Sequence, residues 1–319
     1  MMTDITFTFS PILRHTLQRI DRYRQTILSI PILPRKEIEI RHEATNLRIL
    51  AALRLADIPM TMQELTGLLA RNPKRPHPIE REALLYRQTL MYIRDEWTGQ
   101  TRPLTVSAIE ILMHVAVPML SRHISRAIWE SSSDIRHLIS YIETQPDHPV
   151  IAAGLTHAYM ARTRLHTYSG GRMTLLISGL ILTRHGYDCR GMLSLESELT
   201  RDRNAYTHAL DSVGQLGQMT VWLEYYTACV AGAYETLLEN FERTDTGNRH
   251  RNTSASILNT RQNQIRVLLD MPGAKITNRE VQKRFHVSQI TASRDLTRLV
   301  SYGFLTSSGK GRSVYYTLA

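Results

Sequence analysis

The stretch His166-Thr-Tyr-Ser-Gly-Gly-Arg172 gathers residue types that can handle a phosphate ester. A histidine can take up a proton near neutral pH, paired glycines let backbone amides approach an anion, and an arginine adds a fixed cationic fork. Apolar runs with helical spacing lie on both sides, so the stretch reads as a loop between two helices. It contains no carboxylate, and so no evident ligand for a divalent cation. Histidines recur from His114 to His208, but none stands three or four residues from another with a carboxylate partner. Scattered core and surface histidines are the expectation, and no metal ligand is assigned.

Such a loop needs a frame, and the frame reads as helical. Apolar residues recur at three and four positions in Thr16 to Ile30, Glu39 to Leu55, Met62 to Ala70 and Ile79 to Trp97. Capping boxes at Thr61–Glu64 and Ser107–Glu110 mark helix starts, and Pro59, Pro73, Pro76 and Pro78 punctuate the segments between helices. The run Met173 to Leu182 falls well short of the roughly 20 residues that cross a bilayer, and it predicts a buried helix. Trp97, Trp129 and Trp222 are read as core. With 42% hydrophobic and 21% charged residues, the 319-residue chain has the balance of a soluble globular protein, long enough for two or three domains. Two distant cysteines, Cys189 and Cys229, and an N-terminus without a secretory pattern point to the cytoplasm and to no membrane.

The net charge is +10, and from Thr244 onward twelve Lys/Arg face four Asp/Glu, so a quarter of the chain carries +8. That is the footprint of a polyanion partner or of a solvated basic face. Three helix signals follow a polar stretch: Thr260 to Leu269, a capping box at Thr277–Glu280 opening a helix that ends near Phe285, and a third helix capped by Ser288. Two β-type runs, Gly303 to Thr306 and Ser313 to Thr317, then flank a basic glycine-rich tip. Three helices and a basic ribbon are the layout of a winged helix-turn-helix, which binds DNA or docks proteins. Ala292, Leu296, Leu299, Val300 and Gly303 share the packing stripe of the third helix, and Thr291, Arg294 and Arg298 the opposite one. Gln289 suits adenine, Arg294 guanine and Thr291 either, with Lys310 and Arg312 placed for phosphate or minor-groove contact.

From Pro149 to Ala233 the sequence resembles a Fic domain. The likeness runs through His157-Ala-Tyr-Met-Ala-Arg-Thr-Arg-Leu-His166, the helix from Met173, Arg184-His-Gly-Tyr187, Leu193-Ser-Leu-Glu196, Arg201-Asp-Arg-Asn-Ala-Tyr206 and Trp222-Leu-Glu-Tyr-Tyr226. The family transfers AMP from ATP to protein hydroxyls through a loop of pattern HPFxDGNGRxxR. The resemblance implies that His166 is the base, Tyr168 the loop aromatic, and Gly170, Gly171 and Arg172 what remains of the nucleotide-binding nest. The acidic residue that holds Mg²⁺ and the asparagine have no counterpart, and Leu175 stands in place of the second arginine. The family's inhibitory helix, [S/T]xxxE[G/N], is matched by Leu50 to Thr61 with Ala52, Ala56 and Asp57 at its three key positions. The flap that aligns target peptides has no hairpin signal between Met119 and Tyr141.

The expected architecture is mostly α. It comprises an N-terminal helical region (1–104) carrying the degenerate inhibitory element, a Fic-like helical bundle (105–243), a linker (244–256) and a winged helix with a small β-hairpin (257–319). The expected function is a DNA-binding transcriptional regulator on a catalytically degenerate scaffold, a homodimer on double-stranded DNA contacted by Ser288, Gln289, Thr291, Arg294, Arg298, Lys310 and Arg312. No cofactor is expected on that reading. The alternative is a divergent protein adenylyltransferase that uses ATP and Mg²⁺.

Overall fold

The computed structural model describes residues 6–32, 34–71, 73–116, 132–144, 148–216, 218–251, 259–269, 274–301, 304–309 and 314–318. The chain divides into two compact units, Met1–Asn240 and Phe241–Ala319. In the larger unit the helices are α1 (Pro11–Ser29), α2 (Pro34–Leu55), α3 (Met62–Arg71), α4 (Pro78–Trp97), α5 (Val106–Ala116) and α6 (Ser132–Thr144). After them come α7 (Pro149–Ala161), the short α8 (Arg164–Ser169), α9 (Arg172–Arg184), α10 (Leu195–Leu199), α11 (Arg203–Leu216) and α12 (Thr220–Arg251), whose residues from Phe241 on belong to the smaller unit.

Helix starts follow local chemistry. Proline occupies the first position of α1, α4 and α7, where its missing N–H is not needed and its φ is already helical. Thr61 Oγ1 accepts from the Glu64 amide at 3.2 Å while the Thr61 amide donates back to the Glu64 carboxylate at 2.7 Å, completing the expected box before α3. The box expected at Ser107–Glu110 is corrected. α5 begins at Val106, and Thr105 is its cap, its Oγ1 accepting from the Ala108 amide at 3.2 Å. Two capping residues two positions apart, Thr105 and Ser107, offer overlapping cap patterns, and packing selects between them.

The core lies around α9. Every residue from Met173 to Thr183 is buried, as expected of a helix surrounded on all sides by α2, α4, α5, α7 and α8. Trp97 and Trp222 are core, whereas Trp129 falls outside the described residues. The C-terminal half of α2 is also buried, and it carries Arg48 into the core. There the Arg48 guanidinium Nε donates to both oxygens of Glu196 on α10, at 2.8 and 2.9 Å, and Tyr86 Oη on α4 donates to the same carboxylate at 3.2 Å. Three helices are tied through one buried ion pair.

In the smaller unit lie α13 (Thr260–Leu268), β1 (Ile276–Thr277), α14 (Asn278–Phe285), α15 (Gln289–Ser301), β2 (Leu305–Ser308) and β3 (Tyr315–Leu318). The sheet is antiparallel in the order β1-β3-β2, with Ile276 opposite Tyr316 and Leu305 opposite Leu318. β1 went unseen in the sequence because a two-residue strand has no alternation to detect. The proposed start of the linker also differs, since α12 runs helically to Arg251. Helix propagation needs no apolar stripe once an element is nucleated upstream. Lys310, Arg312 and Gly303 lie outside the described residues, as does 117–131, where the flap would fall.

Arg48→Ala strands a buried carboxylate and is expected to destabilise the helical unit by about 3–5 kcal/mol. Urea unfolding followed by tryptophan fluorescence reads this, because the described tryptophans Trp97 and Trp222 lie in that unit. A loss under about 1 kcal/mol would show that the pair is dispensable.

Candidate functional site

The stretch expected as a loop is mostly helical: His166 to Ser169 lie in α8 and Arg172 opens α9, so only Gly170 and Gly171 form the corner between them. Gly170 and Gly171 both have left-handed backbone, φ +55° and +79°, a conformation open to glycine at little cost. Gly170 donates its amide to the carbonyls of His166 and Thr167, Gly171 donates to the His166 carbonyl at 2.8 Å, and Met173 donates to Ser169 Oγ at 3.2 Å. These three amides are therefore spent within the corner.

The end of α2 fills the space over the glycines. A Cβ on Gly170 would stand 2.7 Å from Ala56 Cβ, and one on Gly171 would stand 2.6 Å from Leu55 Cδ2 and 3.1 Å from His166 Cε1. The glycines permit one segment of the chain to rest on another. The residues that do so belong to the Leu50-to-Thr61 stretch singled out from the sequence, with Ala56 in direct contact. Ala52 is fully buried, while Asp57 is exposed, left-handed at φ +56°, and held by the Arg203 guanidinium in a two-pronged ion pair.

His166 is half-buried, with Nδ1 at 3.0 Å from Thr174 Oγ1, and burial lowers its pKa below the usual histidine range. The neutral ring could accept a proton. Arg172 does not turn into an open site: its guanidinium meets Glu82 on α4 at 2.9 Å and is largely covered. Tyr168 is exposed, and Leu175, in the place of the family's second arginine, is buried core. No group of three or more His, Cys, Asp or Glu side chains placed to hold a metal ion occurs among the described residues.

Sequence reasoning missed a second histidine at the centre of the bundle. His157 on α7 is fully buried, with Nδ1 at 3.1 Å from Ser178 Oγ and Nε2 at 2.9 Å from Tyr206 Oη. It stacks on Trp222 at 5.2 Å between centroids. Burial, helped by His166, pushes its pKa down to about 3, so it stays neutral and joins α7, α9, α11 and α12. Its partners lie 21, 49 and 65 residues away, so no local spacing could reveal them. Behind it a small cavity is lined by Arg48, Ser178, Gly179, Asp188 and Glu196, where burial raises the Asp188 pKa.

On the smaller unit the third-helix stripe is as expected. Ala292, Leu296 and Leu299 are buried with Ile265, Val281 and Leu305, and Val300 packs against them. The turn before it passes through His286 in the left-handed region, φ +53°, and Ser288 Oγ then accepts from the Thr291 amide at 3.3 Å. Gln289, Arg294 and Arg298 are exposed, while Thr291 is half-buried with its hydroxyl at 3.0 Å from that of Ser288. Asp295, not anticipated as buried, accepts from Gln262 Nε2 at 2.7 Å and from the Arg261 guanidinium on α13. Glu280 is committed to the Thr277 capping box. From Thr260 onward the described acids, Glu280 and Asp295, are thus occupied with structure, and the exposed residues of α14 and α15 include Arg279, Lys283, Arg284, Arg294 and Arg298.

No family model matches this sequence, and no curated protein does. Among solved structures the chain is similar to a Fic family protein from Desulfovibrio desulfuricans G20, with a TM-score of 0.62 and 14% identity over 99% of this chain and 98% of that one. It is also similar to a Fic domain containing signaling protein from Bacteroides thetaiotaomicron VPI-5482, with a TM-score of 0.57 and 17% identity over 70% of this chain and 97% of that one. The fold is that of Fic-family proteins.

The His157 environment predicts a pH dependence. Its folded pKa of about 3 lies below the ordinary 6.5, so the unfolded chain binds a proton that the folded chain refuses. Stability from this group is complete above about pH 6.5 and falls as acid is added toward pH 3, by at most about 1.4 kcal/mol per pH unit. His166 and His185, also lowered by burial, act in the same direction, while the raised Asp188 and Glu198 oppose them. Comparing wild type with His157→Gln between pH 6.5 and 5 isolates its share. Equal slopes in the two proteins would contradict this assignment.

Proposed function

We propose that this protein is a DNA-binding transcriptional regulator, built on a Fic-like body that has lost nucleotide transfer and joined to a winged helix-turn-helix. The observation that carries the first half is the state of the histidine corner: its amides at Gly170, Gly171 and Met173 are satisfied internally, and Arg172 is paired with Glu82. A phosphate bound there would have to displace both Ala56 and those hydrogen bonds. With no carboxylate in the corner, a metal-bridged nucleotide also lacks its ligand.

The second half rests on charge and shape. An exposed basic helix capped by Ser288, preceded by a tight turn and followed by an antiparallel ribbon, supports the major-groove reading with Gln289, Thr291, Arg294 and Arg298 toward the bases. Lys310 and Arg312 complete it as wing contacts, and a homodimer supplies two half-sites. The Fic-like body then serves to dimerise or to hold a partner.

A second reading, a divergent adenylyltransferase, rests on one observation: His166 persists as a neutral, half-buried ring able to act as a base. Incubation with labelled ATP and Mg²⁺ beside a His166→Ala control separates the two. No label transfer is expected, and transfer that the mutation abolishes would reverse the order of the readings.

Arg294→Ala is expected to weaken binding to a selected DNA site by about 1–3 kcal/mol and to relax preference at one guanine. Mobility shifts over a salt series check this, and an affinity that does not fall with salt would remove the phosphate contacts from the reading.

A further inference from the structure

Ile290 is the most exposed large hydrophobic side chain among the described residues, at 66%. It is the second residue of α15, where β-branching brings no helical advantage and a polar residue would cost nothing in packing. The core of its unit is closed without it, by Ile265, Leu269, Val281, Leu296, Leu299 and Leu305. Its immediate surroundings are polar and basic. Gln289, Ser293, Arg294 and Thr297 are all exposed, and Arg294 stands one helical turn beyond it on the same stripe. An isolated apolar side chain amid cations is poorly suited to an apolar protein partner, whose interface would need a wider patch. It suits a surface that is anionic overall and displays isolated methyl groups. The major groove is such a surface, because thymine alone among the unmodified bases carries a C5 methyl there.

We propose that Ile290 reads the methyl group of a 5-methylpyrimidine, thymine in unmodified DNA, in the major groove. This rests on the DNA-binding reading above. Ile290 and Arg294 are about 6 Å apart along the helix axis, against roughly 3.4 Å per base step, so the methyl lies within two base pairs of the guanine contacted by Arg294. The apolar contact removes one methyl and part of the isoleucine side chain from water, worth about fourfold in affinity.

The test uses the full chain. A preferred duplex is selected from a random pool, and each thymine is then replaced in turn by deoxyuridine, which lacks only the methyl. The expected result is a loss of about fourfold at one thymine, within two base pairs of the position relaxed by Arg294→Ala. Ile290→Ala should bind the thymine and uracil duplexes equally, and Ile290→Val, which keeps a β-branched apolar side chain, should still discriminate. Replacing each cytosine by 5-methylcytosine distinguishes the two sources of the methyl, a gain confined to one cytosine assigning the contact to modified DNA. Indifference of wild type to every methyl, or a uracil penalty that persists in Ile290→Ala, would overturn this inference while leaving DNA binding intact. Failure to enrich any sequence would overturn both. Because Ile290 is exposed, a thermal melt unchanged by substitution keeps a binding loss from being read as misfolding.

Discussion

The contact of α2 with the Gly170–Gly171 corner is the constraint around which the helical unit is arranged. Two left-handed residues without side chains let Leu55 and Ala56 rest directly on the backbone between α8 and α9. Any other residue there would carry both a backbone penalty and a Cβ inside its neighbour. The corner in turn orients α9, whose every side from Met173 to Thr183 faces protein. Glycines that look from the sequence like an approach for phosphate thus serve an approach of chain to chain.

A helix buried on all sides leaves no easy place for polar groups, and the bundle resolves this by pairing them. Arg48 is matched to Glu196 and Tyr86, His157 to Ser178 and Tyr206, and Arg172 to Glu82. Each match joins different helices, so the same groups that would be costly alone fix the relative placement of α2, α4, α7, α9, α10 and α11. The chemistry left at the loop is narrow: a neutral His166 on Thr174, without a paired acid or an open cationic fork.

The smaller unit follows the opposite logic. Between Thr260 and Leu318 its two described acids are turned inward or into a cap, Asp295 onto Gln262 and Arg261 and Glu280 onto Thr277. What remains at the surface is a cationic helix pair with one deliberate-looking exception, Ile290. On the proposed DNA-binding reading, that charge supplies long-range attraction and leaves short-range discrimination to a few side chains.

By itself the sequence determined the helical body, the buried character of Met173 to Leu182, the position of the histidine corner, the capping of α3 and α14 and the packing stripe of α15. Each of these is written in residues within one or two turns of one another, where periodicity and cap chemistry act. It misplaced the cap of α5, ended α12 early and did not register β1, because those depend on which of several local options the packing selects. Only the tertiary structure decided that Arg172 meets Glu82, that Ala56 covers Gly170 and that His157 is sealed under Trp222. The partners in those contacts lie 65 to 114 residues apart, a separation across which side-chain identity carries no information until the helices are assembled.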